Sequence, residues 1–376
     1  MTRPDVVPSP GCSVAPDGSV TFAHRDERAS SVLLAGDFTG WGKDPIPLVK
    51  REGTDLWTLT TRPLSRGVHA YKLVVDGRWI ADPANPLDVD DGLGGRNSAF
   101  VVGGRDLGDP SAIRVLSLNL HTYQERGMRD GVVVNDSIPK LERIAFGVAA
   151  MGLDVLLLQE VGEHVSNPTE PNAGRLLQEH LERFTRRRWE HVWREAHIGF
   201  DVYHEGLSIL SSGPIEDATV LQLSEGPLAR IALIARTTIK NTKIRVGTTH
   251  VSWGSDGGAQ VARLLADVAR LPAGDHAATL IVGDLNASPE ERQVAQFVER
   301  GYTDVGMATR NVWPTFGEKT LTSRIDYQML RASAGRRAAR IDAFVRVFDG
   351  AGPEDGLHPR VSDHAGIVGA YRWDVG

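Results

Sequence analysis

The apolar pattern changes period once along the chain, and the change falls on a breaker-rich stretch, Gly103-Gly104-Arg105-Asp106-Leu107-Gly108-Asp109-Pro110. Before it, short alternating segments at 19–22, 31–35, 56–59, 70–75 and 99–102 are split by turn signals such as Pro16-Asp17-Gly18, Gly53, Arg66-Gly67 and Asp76-Gly77. Period-two spacing at such short intervals predicts a small all-β sandwich. After it, strand-like runs alternate with helical spacing: Leu141, Ile144, Ala145, Val148 and Met151 on one face, then Leu176, Leu177 and Leu181, then Val261, Leu264, Leu265 and Val268. The strand-like runs 207–210, 231–235 and 244–248 follow one another without a helix between them. That order predicts a mixed pair of sheets flanked by helices, not a single parallel sheet. The expected organisation is a sandwich over 13–103, a linker over 104–112 and an α/β domain over 113–376.

The 376 residues suffice for two domains with separate cores. Cys12 is the only cysteine, which excludes an intrachain disulfide and any multi-cysteine zinc site and makes a reducing cytoplasm the expected compartment. The start, Met1 to Pro10, has no apolar h-region, and no apolar run reaches the length of a membrane span. Net charge is -6, and it is evenly spread. Residues 1–110 carry 12 Lys+Arg against 15 Asp+Glu, leaving 30 against 33 for the remainder. No large cationic field is offered to a nucleic acid backbone. The one dense basic run, Arg186-Arg187-Arg188, reads as a solvated helix end or loop.

In the second part the apolar runs are followed or interrupted by short polar motifs. In order they are Ser117-Leu118-Asn119, Leu158-Gln159-Glu160, Thr249-His250, Gly283-Asp284-Leu285-Asn286, Ser323-Arg324-Ile325-Asp326 and Ser362-Asp363-His364. The end of a buried strand is where a layered α/β domain holds ligands and metals. Glu160 is costly to bury unless paired or metal-bound. Asp284 and Asn286 alternate across Leu285, so both point to one side, and Gly283 permits close backbone approach there. Adjacent Asp363 and His364 can divide their tasks between a metal and a reacting group. Oxygen donors suit Mg²⁺ or Mn²⁺, while imidazoles stabilise charge or carry protons. Hydrolysis of a phosphate ester needs both.

On these motifs, residues 113–376 resemble the endonuclease/exonuclease/phosphatase superfamily, which implies a deoxyribonuclease I-like four-layer α/β sandwich with a divalent metal in its cleft. The resemblance implies Asn119 and Glu160 as the metal pair with Asp363 nearby. It further implies Asp284 to orient or deprotonate water, Asn286 to hold a phosphate oxygen, and His364 to stabilise charge or protonate the leaving group with Asp326 behind it. His250 becomes the second phosphate-facing histidine, with Glu205 as its partner. Asn119-Leu120-His121 departs from the nuclease branch, which has a metal-binding aspartate where this chain has His121. The strings 119–125, 197–206 and 283–290 are most similar to maltose-6'-phosphate phosphatases, which implies a polar sugar pocket lined by His121, His197, Asp201 and Tyr203, with Trp253 as a further wall.

In the first part, Leu34-Ala35-Gly36-Asp37-Phe38-Thr39-Gly40-Trp41, the run from Gly67 to Trp79, and Asp82-Pro83 resemble family 48 carbohydrate-binding modules, as in glycogen-binding domains of AMP-activated kinase β subunits. The resemblance implies an immunoglobulin-like sandwich in which Trp41 and Trp79 stack on glucose rings and Lys72 and Asn97 contact sugar hydroxyls. Leu93 would pierce a helical glucan, and Gly95 stands where the family has a threonine. Trp57, between Leu56 and Leu59 on an alternating strand, is expected in the core. The combined expectation is an Mg²⁺- or Mn²⁺-dependent phosphomonoesterase acting on a sugar phosphate or phosphorylated α-glucan. The alternatives are a phosphodiesterase or nuclease on the same scaffold, or a glycogen-targeted protein with incidental catalysis.

Overall fold

The computed structural model describes residues 8–124, 126–129, 132–135, 137–167, 170–199, 201–350 and 358–373. Residues 1–7, Glu125, Phe200 and 374–376, on which parts of the readings above rest, lie outside the described residues. The chain forms two compact units, one built mainly on residues up to Gly104 and one beginning at Arg105.

In the first unit two antiparallel sheets face each other. One has the order Gly11–Val14, Val20–Arg25, Leu56–Thr60, Val49–Lys50; the other runs Ile46–Pro47, Val32–Gly36, Gly67–Val75, Arg96–Val102, Asp88–Asp90, with Arg78–Ile80 paired to Gly67–Val75. Alternation decides which side chains meet: Val20 and Phe22 from one sheet pack with Leu34, Tyr71, Leu73, Val75, Phe100 and Val102 from the other. Phe22 stands edge-on to Tyr71 (4.9 Å) and Phe100 (5.5 Å). Trp57 belongs to this core and donates its indole N–H to the Asp26 carbonyl (3.1 Å). The Tyr71 hydroxyl is satisfied inside, donating to Asp82 Oδ2 (2.7 Å) and accepting from Asn85 Nδ2 (3.2 Å).

The second unit holds two six-stranded mixed sheets. The first has the order Glu190–Gly199, Tyr203–Ser211, Val155–His164, Ile113–Asn119, Gly366–Arg372, Arg340–Val347. The second runs Ile215–Gln222, Ile231–Ile239, Thr242–His250, Ala278–Asp284, Asp326–Ala332, Thr303–Asp304. Each contains one parallel pair, Ile113–Asn119 with Val155–His164 and Thr242–His250 with Ala278–Asp284. The inner faces interdigitate through Val115, Val155, Leu157 and Ile209 against Leu233, Val246, Leu280 and Val282. Helix Gly254–Arg270 covers the outside of the second sheet, its Val261, Leu264, Leu265 and Val268 packing on Ile234, Ile281 and Met329. Helices Ser137–Met151 and Ala173–Thr185 bury Leu141, Ile144, Val148, Leu177 and Leu181. The result is a four-layer α/β sandwich. Residues 105–112 contain no helix or strand; Leu107 and Ala112 are buried, and Asp109 Oδ2 accepts from Arg372 Nη1 (2.7 Å).

Candidate active site

The parallel pairs point Asn119, Glu160, His250 and Asp284 toward one end of the two sheets; Asp326 arrives there at the start of one returning strand, and His364 just before another, Gly366–Arg372. Asn119, fully buried, spans the gap: its Nδ2 donates to Glu160 Oε1 in its own sheet (2.7 Å) and to Asp284 Oδ2 of the other (3.3 Å). Glu160 does not end its strand as the sequence suggested. It sits at a bulge with φ 47°, where the pairing with Tyr203–Ser211 shifts register between Leu158 and Val161, and the strand continues to His164. A bulge re-aims one side chain without ending the ladder.

Gly283 is required for the same convergence. Its φ is 146° and a Cβ there would lie 1.9 Å from the Thr249 carbonyl of the parallel neighbour. Beyond it, Asp284 Oδ1 accepts the Asn286 backbone N–H (2.8 Å), and the Asn286 amide donates to His250 Nε2 (3.1 Å) and the Val251 carbonyl (2.9 Å). That bond requires an unprotonated Nε2 on His250. Burial, and then the charge of Arg230, depress His250 to about 3, so the ring is neutral. His364 is the opposite case. Its Nδ1 donates to Asp326 Oδ2 at 2.9 Å and its Nε2 lies 3.6 Å from Asp284 Oδ2. Burial disfavours its charge, but the Asp326 and Asp284 carboxylates win and push it up to about 10. Burial, with the Asp326 charge beside it, pushes Asp284 up to about 7, the range of a group that exchanges protons near neutrality.

Glu160 is held charged. Burial opposes this, yet the His121 ring and the Asn119 amide keep its carboxyl well below the usual carboxylate range. Gln124 Nε2 donates to its other oxygen (2.7 Å). Asp363 reaches the same place through His121, whose Nδ1 lies 3.4 Å from Glu160 Oε2 and 3.7 Å from Asp363 Oδ1. The carboxylates of Glu160 and Asp363 flank His121 and offer hard oxygens of the kind Mg²⁺ or Mn²⁺ takes, whereas Asn119 turns its amide nitrogen to Glu160 and gives its oxygen to the His121 N–H. Asp284, Asp326 and His364 place donor atoms within 4.8 Å of one another, but the imidazole is already engaged with Asp326. Asp326 Oδ1 is buried with no hydrogen-bond partner among the described residues.

Glu205 meets a different histidine from the one expected. The antiparallel register sets His197 directly opposite Glu205, with Nε2 3.6 Å from Oε1, while the ring nitrogens of His250 face Asn286, Glu160 and Asp284. Burial, then the Glu160 charge, pushes Glu205 up to about 7. Of the expected pocket walls, His121 and His197 reach the cluster. Asp201 is exposed at φ 57°, and Tyr203 packs on Tyr123 (6.1 Å) and edge-on to His164 (5.4 Å). Trp253 is 56% exposed, at the start of helix Gly254–Arg270.

Sequence reasoning missed Arg230 and Thr315-Phe316. Arg230 bears electrostatically on His250, His197 and Glu205, and its Nε is buried without a hydrogen-bond partner among the described residues. Its segment is pinned by His197 Nδ1, which donates to the Ala229 carbonyl (3.0 Å). Thr315 Oγ1 accepts the Asp326 backbone N–H (3.2 Å), and the Phe316 ring lies 4.8 Å from that of His364. None of the three stands in an apolar-run motif, so no sequence signal marked them.

On the sandwich unit, Trp79 and Leu93 are exposed (48% and 92%), and Gly42, next to Trp41, lies against the Trp79 indole. Trp41 is half-buried and held at φ 59°. The Lys72 ammonium is engaged with Asp91 Oδ2 (3.1 Å), and Asn97 is buried. Gly95 has a local reason: a Cβ there would meet Asp91 Oδ2 at 2.5 Å, where that carboxylate caps the Leu93 and Gly95 backbone N–H groups with Oδ1.

A two-sheet α/β sandwich with carboxylates, amides and histidines gathered at one end defines a hydrolase domain of deoxyribonuclease I-like fold. The model of the endonuclease/exonuclease/phosphatase family matches residues 119–364, and the chain belongs to that family. The glycogen recognition site of AMP-activated protein kinase matches residues 19–105. Among curated proteins, the chain is 36% identical over 88 residues to the chloroplastic phosphoglucan phosphatase LSF1 of Arabidopsis thaliana, 23% of this chain and 14% of that protein. It is 34% identical over 67 residues to the human 5'-AMP-activated protein kinase subunit beta-2, 18% of this chain and 23% of that one. The matches thus span less than a quarter of these relatives. Among solved structures, an endonuclease/exonuclease/phosphatase family protein from Leptotrichia buccalis superposes with TM-score 0.56 at 17% identity, over 70% of this chain and all of that one, a likeness of fold. No helix among the described residues is long and apolar enough to cross a membrane.

Proposed function

We propose that the chain hydrolyses a phosphate monoester on a sugar or α-glucan with the help of a divalent cation, and that its N-terminal module engages the glucan. The observation that carries this reading is the placement of Asp284 between two histidines with unlike partners, His364 backed by Asp326 and His250 tied to Asn286. Glu160 and Asp363 would hold the cation, which when bound would neutralise charge on the phosphate, with Asn119 positioning Glu160 through its amide N–H. Asp284, poised near neutral pH, takes the proton of the attacking water. The His364 imidazolium would face the phosphate oxygens, where charge grows as the bond to water forms, while Asn286 spends its amide hydrogens on His250 Nε2 and the Val251 carbonyl and so fixes the second histidine. Asp326 fixes the orientation of the His364 ring by accepting from Nδ1 and leaves Nε2 on the Asp284 side.

Support for a sugar substrate comes from the module that shares the chain, from the likeness over 88 residues to a phosphoglucan phosphatase, and from the even charge of the second domain, 30 basic against 33 acidic residues over 111–376. A nuclease draws on long-range cationic attraction far more than a sugar phosphatase does. The metal half is tested by Glu160→Gln, which keeps shape and removes charge. Activity should fall and recover in part with excess Mg²⁺ or Mn²⁺; undiminished wild-type turnover in EDTA would contradict it.

A further inference from the structure

The Asp326–His364 pair straddles the sandwich: Asp326 begins a strand of the second sheet, and His364 stands just before Gly366–Arg372 of the first. His364 Nδ1 meets Asp326 Oδ2 at 2.9 Å, while Asp326 Oδ1 has no hydrogen-bond partner among the described residues. The aim of this carboxylate is therefore set by what holds its backbone. Buried Thr315 grips both segments. Its Oγ1 accepts the N–H groups of Ile325 (3.3 Å) and Asp326 (3.2 Å), and its own N–H donates to the Ser323 carbonyl (2.8 Å). Its carbonyl accepts the N–H of Ala365 (2.7 Å), the neighbour of His364, and two residues further on the Gly317 N–H donates to the Asp363 carbonyl (3.0 Å). Phe316 between them bridges to Ser323 and to His364. Residues 315–317 thus form a strut from the Asp326 segment of one sheet to the His364 segment of the other, and the Thr315 hydroxyl is its side-chain hold on Asp326.

We propose that Thr315 is a positioning residue for hydrolysis, whose hydroxyl fixes where the Asp326 carboxylate meets His364 Nδ1 and so acts through Asp326, not on the substrate. The proposal rests on the reading of Asp326 and His364 as catalytic. A hydrogen bond weakens steeply as it bends, and a displacement of about 1 Å in a catalytic group can cost about 10²-fold in rate. Valine fills the space of threonine but turns a methyl to the two N–H groups; serine keeps the oxygen. The competing role for Thr315 is structural, a hydroxyl that only satisfies two buried N–H groups, and its loss would then act through stability alone.

Two readouts on the full chain separate these roles: phosphate release from a maltose-type phosphate, and the far-downfield proton resonance of the His364 Nδ1–H at one fixed pH, identified by its loss in His364→Gln. Thr315→Val should lower kcat about tenfold or more with KM within about twofold, and Thr315→Ser should stay near the wild type. In an Asp326→Ala background Thr315→Val should cost no further turnover, because nothing is left for it to act through, while its effect on melting temperature persists. The resonance should shift or broaden in Thr315→Val and hold in Thr315→Ser. Circular dichroism shows that each variant is folded. An equal loss of turnover in both backgrounds, or a resonance and kcat unchanged in Thr315→Val, overturns the positioning role. A resonance that moves in Thr315→Val while Asp326→Ala leaves turnover intact keeps the hydrogen-bond geometry but removes the catalytic reading of the pair, and this proposal with it.

Discussion

At the scale of single residues, the cleft works because near-identical groups are given unlike surroundings. Two histidines less than one side chain from Asp284 carry opposite charge states, one set by a carboxylate partner and the other by burial beside Arg230. His364→Ala and Asp284→Asn should each lower turnover by about 10²–10⁴, the usual cost of losing an electrostatic or proton-transfer group, with the melting temperature little changed. Near-wild-type rates in a folded variant would mean that the site is elsewhere. His191 offers a separate test, of stability. Burial lowers it to about 4, and its Nε2 pairs with Ser208 Oγ at 3.0 Å. A depressed folded-state pKa means that the folded protein favours the neutral ring. The stabilisation is complete above the unfolded value of about 6.5 and is lost as pH falls from there toward about 4. Melting temperatures at pH 7.5 and pH 5 should therefore fall more for the wild type than for His191→Gln, and an equal fall in both would refute the linkage.

At the scale of elements, the cleft depends on where strands bend. Gly283→Ala should destabilise the second unit by on the order of 3 kcal/mol, because neither the φ of 146° nor the Thr249 carbonyl can accommodate a Cβ. Chemical denaturation measures this, and a loss under about 0.5 kcal/mol would show that the backbone relaxes there. Gly283, the strands around it and the six polar motifs were legible because a buried strand writes a continuous apolar run with its polar residues at one end. Strands Glu190–Gly199, Ile215–Gln222 and Arg340–Val347 were not read. All three are sheet edges with half-buried residues on both faces, and Arg194, Glu195, Glu216, Asp217, Arg340 and Asp342 blur their alternation. Helix Arg292–Glu299 was missed because only Gln293, Val294, Gln296 and Phe297 are buried in its two turns. The partner of Glu205 escaped for a different reason: a cross-strand pair is fixed by register, and the hairpin of Glu190–Gly199 with Tyr203–Ser211 shifts register between Glu195 and His197.

At the scale of the whole molecule, a hydrolase domain and a module resembling a glycogen-recognition site share one chain, and each should be open to silencing without the other. Changing Trp41 and Trp79 together to Ala should abolish co-sedimentation with glycogen or amylose, since indole faces, here the exposed Trp79 and the half-buried Trp41, carry most of the stacking on sugar faces. Turnover of a small soluble phosphate ester should hold within about twofold, because the indoles and the cleft belong to separate units. A wild type that sediments with no α-glucan would make the module a spacer, and binding that survives the double change would move the sugar face elsewhere.

A single preparation assayed both ways decides whether the cleft serves a sugar phosphate or a phosphodiester. Inorganic phosphate released from a maltose-type phosphate and a phosphorylated glucan is measured beside nicking of plasmid and abasic-site DNA, with Mg²⁺, Mn²⁺ and EDTA in parallel. Cation-dependent phosphate release from the sugar substrates should exceed DNA cleavage by about 10² or more, the scale of selectivity a built polar site provides. Efficient nicking at low enzyme concentration, with no phosphate released from any sugar, would contradict it.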